Sequence, residues 1–254
     1  MTDSWDFYFC HVDDALASIY LNLGIHERAP EPGRPCLFWV WLQMLEPQPD
    51  GLSSSQEFER LVAIEDALTA ALTPSGALLV GRSTTQGRRE FYYYAPSADG
   101  LQAVVDRSLR AFRGYRAETG AKHDPQWSQY FDFLYPAPAQ QRQIDNRRTI
   151  EAIEKEGDTL VTPRPVSHFL YFPTTEARTG FLDTISPEGF RVVPGSLSTH
   201  SDQPRPYGVQ LERSDPVDWE SMNRITGLLT EAASPFEGDY DGWEAEVVKP
   251  PSTG

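Results

Sequence analysis

The chain has 254 residues, of which 39% are hydrophobic, 12% aromatic and 23% charged, a balance that folds into one large domain or two of ordinary size and does not stay disordered. Its 37 acidic residues outnumber 22 Lys and Arg, leaving a formal net charge of -15. Such a surface repels phosphate and anionic lipid, so neither direct nucleic-acid binding nor membrane-surface binding is expected. The longest apolar run, Cys36 to Leu42, is too short to span a bilayer, and Met1-Thr2-Asp3-Ser4-Trp5 lacks the basic start of a secretory signal, so a cytoplasmic location is expected.

Trp5 to Val12, Ala17 to Gly24 and Cys36 to Leu45 are rich in aromatic and branched residues and are expected as strands. Cys10 and Cys36 sit inside two of these runs and read as buried, reduced thiols, since neither has a second Cys or His at metal-ligand spacing. Ser53-Ser54-Ser55-Gln56-Glu57 then opens a helix, its stripe is Phe58, Leu61, Ile64, Leu68 and Leu72, and Pro74-Ser75-Gly76 ends it. Strands at 77–83 and 89–95 follow with a hairpin-like link, then a helical stripe from Leu101 to Phe112, then a closing strand from Trp127 to Tyr135.

Pro136-Ala137-Pro138-Ala139 breaks the composition and sets the expected domain boundary, 1–136 and 137–254. Beyond it a helix from about 140 to Gly157 precedes strand 166–172, helix 175–185, strands 189–193 and 207–212, helix 216–233 striped by Trp219, Met222, Ile225 and Leu229, and an acidic terminal strand. Strand and helix thus alternate in the same way twice. The expected class is α+β: two domains, each a ferredoxin-like antiparallel sheet with helices packed on one face and the other face open.

The chemistry is sparse. No phosphate-binding glycine loop, His-Glu-x-x-His or Gly-x-Ser-x-Gly occurs. His11, His26, His123, His168 and His200 are scattered singly, and His168 alternates with Leu170 and Phe172 as a strand residue does, so no catalytic residue, metal or cofactor is expected. Phe91-Tyr92-Tyr93-Tyr94 and the pair Trp39 and Trp41 look like stacking platforms for bases, but the acidic chain lacks the cations such platforms need, which leaves them as core and strand pairing.

Two segments carry more. Gly157-Asp158, Pro163-Arg164, the strand Val166 to Phe172 and the terminal Tyr240-Asp241-Gly242-Trp243-Glu244 occur in that order, and in this they resemble the regulator of ribonuclease E activity B family over roughly the last 110 residues. The upstream half resembles an uncharacterised bacterial domain sometimes fused to it. The resemblance implies a non-enzymatic bacterial protein that binds ribonuclease E, at its non-catalytic scaffold region, and lowers or redirects RNA cleavage. Period-two alternation places Tyr240, Gly242, Glu244 and Glu246 on one face of the last strand and Asp241, Trp243, Ala245 and Val247 on the other. Asp239, Tyr240, Asp241, Glu244 and Glu246 are therefore the candidate partner-binding residues, acids around an exposed aromatic that suit an arginine-rich segment, while Trp243 reads as core. The alternative is a small-ligand binder or enzyme whose aromatic-lined site lies in the N-terminal domain or between the domains. The partner's identity and the oligomeric state stay open.

Overall fold

The structure is a computed structural model that describes residues 3–199 and 202–249; His200 lies outside them. It divides into two compact units, Met1–Gln141 and Arg142–Gly254. Both are α+β, and the sheets are antiparallel throughout.

The first unit begins with a hairpin, β1 (Trp5–Val12) and β2 (Ala15–Asn22), closed by Asp13 and Asp14 at φ 48° and 62°, the left-handed pair that a two-residue turn requires. Then come β3 (Cys36–Gln43), α1 (Ser55–Leu72), β4 (Leu78–Thr85), β5 (Arg88–Ala95), α2 (Leu101–Leu109) and β6 (Ala117–His123). Ser54 caps α1 by accepting from the Glu57 amide, and left-handed Gly76 follows the short turn that ends it. The sheet order is β1-β2-β4-β5-β3-β6. From β3 onward this is the split βαββαβ arrangement, and the hairpin extends it by two strands beyond β4. Leu61, Ile64, Leu68 and Leu72 of α1 with Leu101, Val105 and Leu109 of α2 pack on Val40, Phe91 and Tyr93. Cys10 and Cys36 are free and half-buried, not fully buried, on β1 and β3, with three strands between them.

Three expectations fail here. Residues 127–135 are not a strand: Gln129–Leu134 forms a π-helical turn, and the closing strand is the polar β6. Asp124 nucleates that turn, accepting from Ser128 N, Ser128 Oγ, Gln129 N and the Tyr94 hydroxyl. Trp127, Tyr130 and Leu134, spaced as on a helix, are then laid against the sheet face opposite the helices, Trp127 stacked on Tyr94 at 4.2 Å. That face is covered, and Tyr92 and Tyr94 serve as its core. Phe58 also leaves its expected place: it sits on the flank of α1 and is 47% exposed.

The second unit begins with most of α3 (Pro138–Lys155) and continues through β7 (Arg164–Phe172), α4 (Thr175–Ile185), β8 (Arg191–Val192), β9 (Ser198–Thr199), β10 (Tyr207–Asp215), α5 (Trp219–Ala233) and β11 (Asp239–Ala245). The order β11-β7-β10-β8 is again the split βαββαβ, with β9 added beside β10. Thr174 and Asp218 cap α4 and α5. Ile150 and Ile153 of α3, Phe181 and Ile185 of α4, and Met222, Ile225 and Leu229 of α5 all bury against Val166, Leu170, Phe172, Val209 and Leu211. Trp219, at the open start of α5, is 37% exposed and stands outside that stripe.

Candidate functional site

Among the described residues β11 is an edge strand paired only with β7, and its register decides what it shows. A bulge lies between Tyr240 and Gly242, so Asp241 is the extra residue and Gly242 takes φ 126°. Straight alternation therefore breaks at Asp241. Tyr240 stands opposite Leu170, Trp243 opposite His168 and Ala245 opposite Val166, and all three face the core. The expected exposed Tyr240 is thus corrected: the bulge returns its ring to the inner face, on the same side as Trp243.

Both aromatics are held there by polar contacts. The Tyr240 hydroxyl shares a 2.9 Å hydrogen bond with His168 Nδ1. Trp243 Nε1 donates to Asn146 Oδ1 at 2.9 Å, and Asn146 Nδ2 donates to Asn223 Oδ1 and Thr226 Oγ1, which ties α3, α5 and β11 together. His168 is fully buried, its Nε2 has no partner, and Phe190 meets its ring edge-on. Burial lowers its pKa to about 4, with Asp215 opposing and Arg213 adding to the fall, so it is neutral near pH 7. Burial likewise raises the Tyr240 phenol far above its ordinary value. This pair is structural and has no nucleophile to serve.

A second buried feature explains the upstream residues. Arg164 and Asp158 form a forked ion pair, Nη1 to Oδ2 and Nη2 to Oδ1, with side chains 3% and 0% exposed. Asp158 also accepts from Leu160 N and Val248 N, while Arg164 donates to the carbonyls of Thr162 and Glu246. The pair thereby clasps the loop before β7 to the chain leaving β11. The Arg164 hydrogen bonds hold the Asp158 carboxyl well below the usual carboxylate range, against the opposing effect of burial.

The outer face of the sheet carries the remaining candidates. Asp239, Asp241, Glu244 and Glu246 are exposed, and none has a side-chain hydrogen-bond or ion-pair partner among the described residues. Asp239 stands opposite Tyr171, Gly242 opposite Phe169 and Glu244 opposite Ser167, so acids flank two half-buried aromatics on the outer face of β7. Tyr171 fits because Gly208 lies beneath it on β10: a Cβ there would come within 3.0 Å of the ring. Sequence reasoning passed over Phe169 and Tyr171, although both alternate with the buried His168, Leu170 and Phe172. Two clefts open at the ends of this strip, one by Tyr171, Arg205, Asp239 and Asp241, the other by Ser167, Glu212, Glu244 and Glu246. Glu212 is already paired with Arg191. The arrangement offers carboxylates and two aromatic faces, which suit a partner carrying cations. Among the described residues no group of three or more His, Cys, Asp or Glu is placed to hold a metal ion, and no helix is long and apolar enough to cross a membrane.

Comparison with known proteins matches the two parts of the chain to two family models. Residues 143–245 match the family model described as Regulator of ribonuclease activity B, and residues 3–135 match a Family of unknown function, DUF695. No curated protein matches the chain. Among solved structures, an unknown protein from Galdieria sulphuraria is 11% identical over 84% of this chain and 99% of that one, at a TM-score of 0.25. The chain belongs to the family of unknown function DUF695, whose model covers its N-terminal half, and residues 143–245 match the model of the regulator of ribonuclease activity B family.

Proposed function

We propose that the protein is a non-enzymatic regulator of RNA degradation that binds a ribonuclease E-type enzyme through a basic segment of that enzyme, which docks on the outer face of β7 and β11. The observation that carries this reading is the strip of four unpartnered carboxylates, Asp239, Asp241, Glu244 and Glu246, beside Phe169 and Tyr171. Arginines of an incoming segment can pair with the acids through forked hydrogen bonds and lie across the two rings. An exposed pair contributes only about 0–1 kcal/mol, so the strip acts collectively. By occupying basic segments that otherwise hold RNA, an acidic surface competes with substrate by charge. Tyr240 supports the face from beneath, by fixing β11 on β7.

The test uses the full chain and a purified ribonuclease E-type enzyme, with affinity measured over a salt series. Replacing Asp239, Glu244 and Glu246 with Asn, Gln and Gln keeps the strand's shape. The expected result is a loss of tenfold or more at low salt, mostly through slower association, and a weaker salt dependence. Equal affinity of the triple variant and the unaltered chain at low salt eliminates this face.

A further inference from the structure

The N-terminal hairpin widens the first sheet beyond the cover of its helices, and a trough is left in the corner. Its floor is Phe7, Phe9 and Tyr20, its wall is the flank of α1 with Phe58 and Val62, and its charged lining is Arg82 and Arg89 with Glu65 and Asp66. The rings of the floor pack on one another: Trp5 stacks on Tyr20 at 5.0 Å and Phe7 meets Phe9 edge-on. Phe9 and Phe58 are 38% and 47% exposed, so apolar surface faces the opening.

The charges beneath it are unevenly matched. Arg82 lies over the Tyr20 ring at 4.2 Å and is paired with Glu65. Arg89, next to it, is 2% exposed and has no carboxylate within ion-pair distance among the described residues. Its Nε donates to Thr84 Oγ1 at 3.2 Å and its Nη2 to Ser53 Oγ at 3.3 Å, but Nη1 has no partner. Glu57, the other buried acid nearby, is occupied by the amides of Leu45 and Glu46 and by the Tyr115 hydroxyl. A buried guanidinium paired only with hydroxyls is costly to a fold unless an anion offsets it.

We infer that this trough is a binding site for a small organic carboxylate with a flat apolar body, its carboxylate on the Arg89 guanidinium and its body over Phe7, Phe9 and Tyr20 against Phe58. One unpartnered donor group suits a carboxylate, whereas a phosphate ester calls for several converging donors. The aromatic floor and the exposed Phe58 suit a ring more than a polar chain.

The probe is 2-naphthoate, with 2-naphthamide as its neutral isostere, titrated calorimetrically into the full chain. The expected result is saturable one-to-one binding of the acid, with the amide at least tenfold weaker. Arg89→Gln should erase the difference between the two. Phe58→Glu, at a position 47% exposed on the flank of α1, should weaken the acid tenfold or more at unchanged melting temperature, and it carries the test if Arg89→Gln does not fold. No saturable binding at millimolar acid, equal binding of acid and amide, or an undiminished affinity in the Phe58 variant each overturns the assignment.

Discussion

At the residue scale, the second unit depends on two buried titratable groups whose effects fall in different pH ranges. Asp158 is ionised in the native fold far below the range where a free aspartate protonates. Its contribution is complete above about pH 4 and is lost as pH falls below that, since the unfolded chain then takes up the proton that the native clasp refuses. Asp158→Asn leaves Arg164 as a buried, uncompensated cation and should cost about 3–5 kcal/mol, read as a lower midpoint in chemical denaturation at neutral pH. An unchanged midpoint shows the clasp to be dispensable. His168 acts at higher pH. Its native pKa of about 4 lies below the ordinary value, so the stability of the neutral form is complete above about pH 6.5 and declines between pH 6.5 and 4, by on the order of 3 kcal/mol. Asp215 and Arg213 on β10 and the Tyr240 phenol on β11 are the groups that face it, and Tyr240 does not titrate in this range. His168→Gln should flatten melting temperature against pH over that interval, and a variant that keeps the full slope places its origin elsewhere.

At the element scale, what the sequence made legible depended on whether a segment obeyed one period throughout. The inner face of β7 and the stripes of α1, α4 and α5 follow one rule, except at the first turns of α1 and α5 where Phe58 and Trp219 fall outside them, and the elements' bounds differ from the expected ones by a few residues. β6 was missed because Ala117–His123 has no large apolar residue. Its place is set from outside, by Trp39, whose ring lies where a Cβ on Gly120 would sit, at 2.2 Å. The aromatic run 127–135 was misread for the opposite reason: its composition suits a strand, but its buried residues recur every three or four positions and Asp124 supplies the cap. β11 shows the limit most sharply. One bulge at Asp241 moves Tyr240 from the outer face to the inner, and nothing local in the sequence separates a bulge glycine from a strand glycine at Gly242. The acids of the candidate face are legible in the sequence and their aromatic companions are not, because His168 to Phe172 is bulky on both faces, a pattern that a strand buried on both sides shares.

At the scale of the whole molecule, each unit repeats one sheet order and closes its own core, so each should fold without the other. The first buries Leu61, Ile64 and Leu68 under its own two helices, and the second encloses Val166, Leu170 and Leu211 with α3, α4 and α5. Units of this length bury enough surface to be stable alone. We place the division between Pro136 and Ala137, because α3 begins at Pro138 and supplies Asn146, Ile150 and Ile153 to the second core, so a cut there leaves the helix entire. Fragments 1–136 and 137–254 are each expected to melt cooperatively, the first retaining binding of 2-naphthoate and the second the salt-dependent binding of the ribonuclease. The two activities then separate physically, which no shared surface allows. A fragment 137–254 that folds but has lost ribonuclease binding moves the docking surface into the DUF695 half, and a fragment that fails to melt cooperatively shows that its core depends on the other unit.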